Sequence, residues 1–199
     1  MSETIWSAIE KRRTFYAIGK DAVVPEAEIE KIINHAVKNA PTAFNSQSGR
    51  IVLLMGKESD KLWETTKEIL KAMVPPESYP STEAKLNSFQ SGFGTVLFFE
   101  DQPTVKDLQE KFPLYADNFP VWSLESSGML QYAVWMLLEV AGFGASLQHY
   151  NPLIDEQVRK TWGVPENWKL LGQMPFGKPT AGPDPKTFIP LEERVKIFK

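Results

Sequence analysis

From Ser123 to Ala141 the chain reads "SLESSGMLQYAVWMLLEVA", apolar almost all the way round a helix. Such a helix has no face to give to water, so the rest of the chain must surround it or a second chain must share it. This demand narrows the fold more than any other feature. Gln131 and Glu139 interrupt the run, and its unbroken part falls short of the roughly 20 apolar residues that cross a bilayer. The spacing therefore predicts a central, fully buried helix in a protein that does not span a membrane.

Other elements fall around it. Ser2 is a candidate cap for a first helix carrying Ile5, Ala8 and Ile9 at helical spacing, and Tyr16 to Asp21 breaks it. Pro25 opens a second helix with Ile29, Ile32, Ile33, Ala36 and Val37 on one stripe, ended by Pro41. "RIVLLMG" and "TVLFFED" read as strands buried on both faces. A third amphipathic helix, "SDKLWETTKEILKAMV", lies between them, followed by a proline-rich connection with room for a helical turn. After the glycine turn "GFGA" come a third strand, "SLQHY", and a helix from Pro152 to Trp162 capped by Asn151. "NWKLLGQMPFG" is a fourth strand with a bulge-prone Gly172. This order predicts an α+β fold, a three-layer α/β/α sandwich around a mixed or antiparallel sheet. The 199 residues are read as one domain, 1–199, with an extended arm at about 179–199 suited to wrapping a partner subunit.

Composition removes whole classes of function. A net charge of −3 supplies no basic face for nucleic acid or anionic lipid. There is no cysteine, hence no disulfide, no thiolate metal site and no cysteine nucleophile. Only His35 and His149 offer imidazoles, too few for a multi-histidine metal centre. The first residues lack the layout of a signal peptide, which leaves a soluble, cytoplasmic protein as the expectation. No glycine-rich phosphate loop follows a strand, because "SGFGT" precedes one and reads as a turn. No serine nucleophile elbow or paired glycosidase carboxylates stand out.

Three stretches can carry chemistry. Arg12, Arg13 and Thr14 offer guanidinium forks and a hydroxyl to a phosphate, although cations at a helix end also complement its dipole. Asn45, Ser46 and Gln47 present planar amides suited to a heterocycle edge, or simply a turn. Gln148, His149 and Tyr150 end a strand just before a helix start, at a strand's carboxyl end, where α/β folds bind ligands; a histidine there can equally be a rim residue.

The order of these stretches resembles the nitroreductase flavoprotein family. "RRT" is followed further along by "APTAFNSQ" and a strand, then by a long apolar helix ending "LEVAGFGASLQ", then by "DEQVRKTWGVPENWKLLGQMPFGKP". "SFQSGFGTVLFFED" and "SSGMLQYAVW" are similar to the small fatty-acid-repression-type branch of bacteria and fungi. The resemblance implies FMN at a homodimer interface and reduction of nitroaromatics, quinones or similar flat acceptors with NADH or NADPH. It implies that Arg12, Arg13 and Thr14 bind the phosphate, joined by Lys186 from the tail. It implies that Asn45 and Gln47 contact the ring's polar edge, and that a backbone N–H within Leu147-Gln148-His149 meets flavin N5. No catalytic acid or base side chain is required, because the flavin supplies the redox chemistry.

Three residues depart from the family pattern. Thr14 replaces a serine, Ser48-Gly49 replaces a Pro-Trp pair, and Tyr16 stands where a basic residue is often found, leaving one ring contact open. Aromatics in the variable segments (Tyr79, Phe89, Tyr115, Phe119 and Trp122) suggest a pocket for flat acceptors. The rival readings are a flavin- or lipid-ligand-binding sensor on the same fold with little turnover, and an interaction domain that binds no flavin.

Overall fold

The computed structural model describes residues 5–199, so a cap at Ser2 lies outside the described residues. The helices are α1 (Ile5–Lys11), α2 (Glu26–Asn39), α3 (Lys57–Lys71), α4 (Tyr79–Gln90), α5 (Gln102–Lys111), α6 (Phe119–Val140), α7 (Asp155–Trp162) and α8 (Leu191–Arg194). The strands are β1 (Ile18–Gly19), β2 (Gly49–Met55), β3 (Gly94–Asp101), β4 (Gly144–Ala145) and β5 (Trp168–Pro179).

The five strands pair antiparallel, in the order β1-β5-β3-β2, with the short β4 also on β5. Alternation along β3 divides the core in two. Val96 and Phe98 pack under α2 and α6 with Ile29, Ile33, Leu130, Val134 and Leu138. Leu97 and Phe99 pack on the other face with Leu62, Trp63, Leu86, Phe89 and Val158 of α3, α4 and α7. Two helical layers around one sheet give the three-layer α+β sandwich that the sequence predicts. The expected bulge is also present: Phe98 pairs with Gly172 and Phe99 with Leu170, leaving Leu171 unpaired.

Five local expectations need correction. The "RIVLLMG" strand is not buried on both faces, because β2 is the sheet's edge and only Leu54 in it is buried. The proline-rich connection holds a 12-residue helix, α4, since Pro80 sits in its first turn, where a missing N–H breaks no bond. The two-residue β4 ends before "SLQHY", which itself keeps only a single bridge between Gln148 and Gln173. Beyond that bridge the Gln173 side chain takes over from the ladder, accepting the Tyr150 N–H at 2.7 Å and donating to Asn151 Oδ1 at 3.3 Å. Asn151 is thereby engaged elsewhere, and α7 begins at Asp155 instead of Pro152.

The fifth correction concerns the apolar helix itself. α6 buries Leu130, Val134 and Leu138 against the sheet, yet Val121, Leu124, Met129, Tyr132 and Val140 stand 43–54% exposed. Within one chain it is covered on one side only. Ile5, Trp6, Phe188, Ile197 and Phe198 add further exposed apolar surface on α1 and in the tail.

Candidate functional site

The backbone brings the first and third predicted stretches together. Thr14 forms a parallel bridge with Ala145, and the Phe15 N–H donates to the Ala145 carbonyl at 3.0 Å. Gly144 is required here, because a Cβ on it would stand 2.8 Å from Phe15 Cβ. Gly142, with φ of 93°, turns the chain back from the end of α6 into this contact. Residues 12–14 therefore lie beside the start of the segment that leads through Leu147 to His149.

The side chains there leave donors without acceptors. The Arg12 guanidinium lies 4.5 Å from the Trp135 ring centroid and 6.0 Å from that of Tyr132. Arg12 Nε and Trp135 Nε1 are both buried and have no hydrogen-bond partner. Two buried donors, one of them charged, form a local demand for an anion, since burying such groups unpaired is costly. Arg13 Nη2 donates to the Asp184 carbonyl, which holds the tail near this corner two residues before Lys186. The Lys186 ammonium itself sits 5.1 Å from the Phe188 ring centroid.

The bridge at Gln148 sorts the N–H groups of 147–149. Gln148 donates to and accepts from Gln173, at 2.7 and 2.9 Å, so its N–H belongs to the sheet. Backbone alternation turns the N–H groups of Leu147 and His149 away from β5, toward the opposite side. The Gln148 side chain is buried on Ser146 Oγ at 3.1 Å, whereas the His149 side chain is exposed.

The second stretch is built differently. Phe44, Asn45 and Gln47 have φ of 55°, 51° and 51°, left-handed conformations that cost of order 1–3 kcal/mol each in a non-glycine residue. Hydroxyls hold the loop in this shape. Thr42 Oγ1 accepts the Gln47 N–H at 3.1 Å, Ser126 Oγ accepts the Ala43 N–H at 3.4 Å, and Ser48 Oγ meets Ser123 Oγ at 3.3 Å. Arg50 donates to the Gln47 carbonyl at 2.6 Å and pairs with Asp101 at 2.8 Å. With the backbone so fixed, the Asn45 and Gln47 side chains stand exposed at the rim of a cleft of about 640 Å³.

The two sets contact different stretches of α6. The amide loop sits on Ser123 and Ser126, while Arg12 stacks on Trp135. Ser126 and Trp135, nine positions apart, are separated by about 13 Å along the helix. One chain therefore gathers Arg12, Arg13, Thr14 and the 147–149 segment, with Lys186 on the adjoining tail, and holds Asn45 and Gln47 apart.

The departures look different in three dimensions. Ser48 is 2% exposed and its hydroxyl meets Ser123 of α6, so it anchors the loop. Tyr16 packs its ring 6.2 Å from that of Phe89. The predicted aromatic pocket divides in two. Tyr79 and Phe89 are buried behind the sheet, whereas Tyr115, Phe119 and Trp122 surround Phe44 together with Phe112. Sequence reasoning missed Trp135, which reads as ordinary core in an apolar helix. It also missed Glu100, although an acid inside "TVLFFED" was a visible signal. Glu100 is 5% exposed, its Oε2 accepts from Gln102 at 2.7 Å, and its Oε1 has no partner. Burial pushes its carboxyl above the ordinary range.

Among the described residues, no group of three or more His, Asp or Glu gathers as a metal site, and no helix is long and apolar enough to cross a membrane. The orphaned donors of Arg12 and Trp135 fit the phosphate of a mononucleotide, and the amide loop fits the edge of a heterocycle.

The chain is similar to known proteins along most of its length. The model of the nitroreductase family matches residues 9–178. The nitroreductase CinD of Lactococcus lactis, solved with nicotinic acid, is 48% identical with a TM-score of 0.92, covering 98% of this chain and all of that one. CinD has also been solved with chloramphenicol and with 4-nitrophenol. The nitroreductase FRM2 of Saccharomyces cerevisiae is 34% identical over 190 residues, 92% of each chain. A protein from Exiguobacterium sibiricum solved in complex with FMN shares 11% identity at a TM-score of 0.75, covering 100% of this chain and 99% of that one, a likeness of fold alone.

Proposed function

The chain belongs to the nitroreductase family, and on that premise we propose that it is an FMN-dependent oxidoreductase using NADH or NADPH to reduce nitroaromatics, quinones or related flat acceptors. The observation that carries this reading is the pair of buried, unpartnered donors, Arg12 Nε and Trp135 Nε1, beside the Thr14–Ala145 bridge. Arg12, Arg13 and Thr14 bind the phosphate, with Lys186 closing over it from the tail. FMN held there would supply the hydride chemistry between the nicotinamide and the acceptor, in two separate half-reactions. The N–H groups of Leu147 and His149 supply a donor toward ring N5, while Gln148 keeps the segment on β5. Asn45 and Gln47 orient the ring through its polar edge.

A homodimer reconciles the separation of the two sets: the amide loop of one copy completes the phosphate corner of the other. Support comes from the exposed apolar residues of α6, from the open edge of β2, and from the tail, whose Val195 and Ile197 alternate along an exposed segment. Addition to a sheet edge would bury such a segment. The aromatic ligands of CinD support flat acceptors, with Phe44, Tyr115 and Trp122 as the nearby rings. We assign the protein to the cytoplasm, where reduced nicotinamide is available.

Purified protein supplied with FMN tests the reading. Flavin absorption bands that survive desalting, bleaching by NADH or NADPH, and return of colour with a quinone or 4-nitroquinoline oxide are expected. Flavin retained without turnover would identify a sensor, and no retention would end the FMN assignment.

A further inference from the structure

Phe44 stands in a conformation that its own chemistry disfavours. Its φ of 55° and ψ of 23° are left-handed, a region that asparagine tolerates through its short polar side chain and a bulky ring does not. Burial does not explain the choice, because the residue is 53% exposed. Hydrogen bonds on either side hold it in place. The Ala43 N–H donates to Ser126 Oγ at 3.4 Å, the Asn45 N–H to the Thr42 carbonyl at 3.0 Å, and the Ser46 N–H to the Ala43 carbonyl at 3.0 Å. Strain maintained at an exposed residue points to a use for its side chain.

The connection between α5 and α6 supplies what the ring leans on. Phe112 lies 5.0 Å away, Phe119 meets it edge-on at 5.3 Å, and Trp122 stands nearly parallel at 6.2 Å, with 18° between the planes. Phe119 is 2% exposed, and the void it shares with Ala43, Val105 and Leu108 is only about 10 Å³. No ring enters so small a space, so Phe44 stays at the surface. Tyr115, 41% exposed, stands beside it with centroids 6.3 Å apart. Phe44 and Tyr115 together offer an aromatic surface wider than one six-membered ring.

We propose that Phe44 is the specificity-determining residue of the acceptor site, selecting fused bicyclic acceptors of the size of 1,4-naphthoquinone over single rings. The inference rests on the proposed flavin chemistry. Asn45 and Gln47, which orient the flavin edge, follow Phe44 by one and three residues, so the rigid loop that sets the flavin also sets the ring beside it. A single-ring acceptor lying against Phe44 leaves Tyr115 uncovered. A second fused ring reaches it, removing more apolar surface from water and adding an aromatic contact. Selection follows from that difference in contact.

Phe44→Gly relieves the backbone and removes the ring, whereas Phe44→Trp keeps an aromatic surface. Oxidised, flavin-loaded protein is titrated with 1,4-naphthoquinone or 1,4-benzoquinone in the absence of nicotinamide, and binding is read from the flavin absorption. Phe44→Gly should weaken naphthoquinone roughly 10-fold more than benzoquinone, the scale of one lost aromatic contact with its buried area. Phe44→Trp should keep the parent's preference. In turnover, kcat/KM for the two quinones should split in the same sense, and comparing each quinone with itself across variants cancels the difference in their potentials. A flavin-loaded parent with no preference, or equal losses for the two quinones in Phe44→Gly, overturns the role of Phe44 alone. A parent protein that binds no flavin overturns the functional reading and this selection with it.

Discussion

The corner at Arg12–Thr14 and the loop at Asn45–Gln47 meet their obligations in opposite ways. At the corner none of residues 12–15 is left-handed and the backbone is tied down by the Thr14–Ala145 bridge, while side-chain donors are left without acceptors. At the loop the backbone is strained at three residues, while hydroxyls of Thr42, Ser123 and Ser126 absorb its polar groups. The corner stores unsatisfied charge and is suited to affinity. The loop stores conformational strain and is suited to orientation, because its exposed amides are held by a backbone that cannot relax.

If the two regions complete one site only across a dimer, combining defects should reveal it. Arg12→Ala and Gln47→Ala homodimers should each lose most flavin-dependent turnover. Mixed dimers, with one intact site and one doubly damaged, should regain about half of the parent's activity under two-fold symmetry. No recovery on mixing would place both sets in one chain's site. Gly144→Val tests the corner alone: a side chain where Cβ already meets Phe15 at 2.8 Å should cost roughly 1–3 kcal/mol of stability, read by urea denaturation, and weaken FMN more than it alters acceptor KM. Thr42→Val tests the loop alone. Losing the Gln47 N–H partner should cost about 1 kcal/mol and raise acceptor KM more than FMN Kd.

The smallest effect is one of pH. Burial raises the Glu100 pKa, so the folded chain holds that proton to higher pH than the unfolded chain does. Above about pH 4.3, where a free glutamate ionises, this group therefore lowers stability as pH rises, until the folded carboxyl also ionises. Glu100→Gln should match the parent in acid and exceed it at neutral pH in urea midpoints. An unchanged difference across that range would contradict the buried, unpaired carboxyl.

How much of this was written in the sequence depends on the length of the signal. α2, α3 and β3 repeat their periods over seven residues or more, and each was readable. β1 and β4 are two residues long and carry no period, so the bridge that builds the phosphate corner was invisible until the chain was folded. β2 misled because an apolar run looks the same at an edge as in a sheet centre, and α4 because prolines read as breakers before they read as first-turn residues. α6 announced that it needed cover on every side. It could not announce that one chain covers only half of it. At the site, the ordered motifs identified the polar residues, but the left-handed Phe44 ran against its own preference, and Trp135 was indistinguishable from core.

The most direct test of the account is a comparison of FMN with riboflavin, which lacks the phosphate, titrated against the parent and Arg12→Ala by flavin fluorescence. A charge-assisted contact is worth about 1.5–3 kcal/mol, so Arg12→Ala should weaken FMN about 10- to 100-fold and leave riboflavin nearly unchanged. Equal losses for the two ligands, or no loss for FMN, would contradict the assignment of Arg12 to the phosphate.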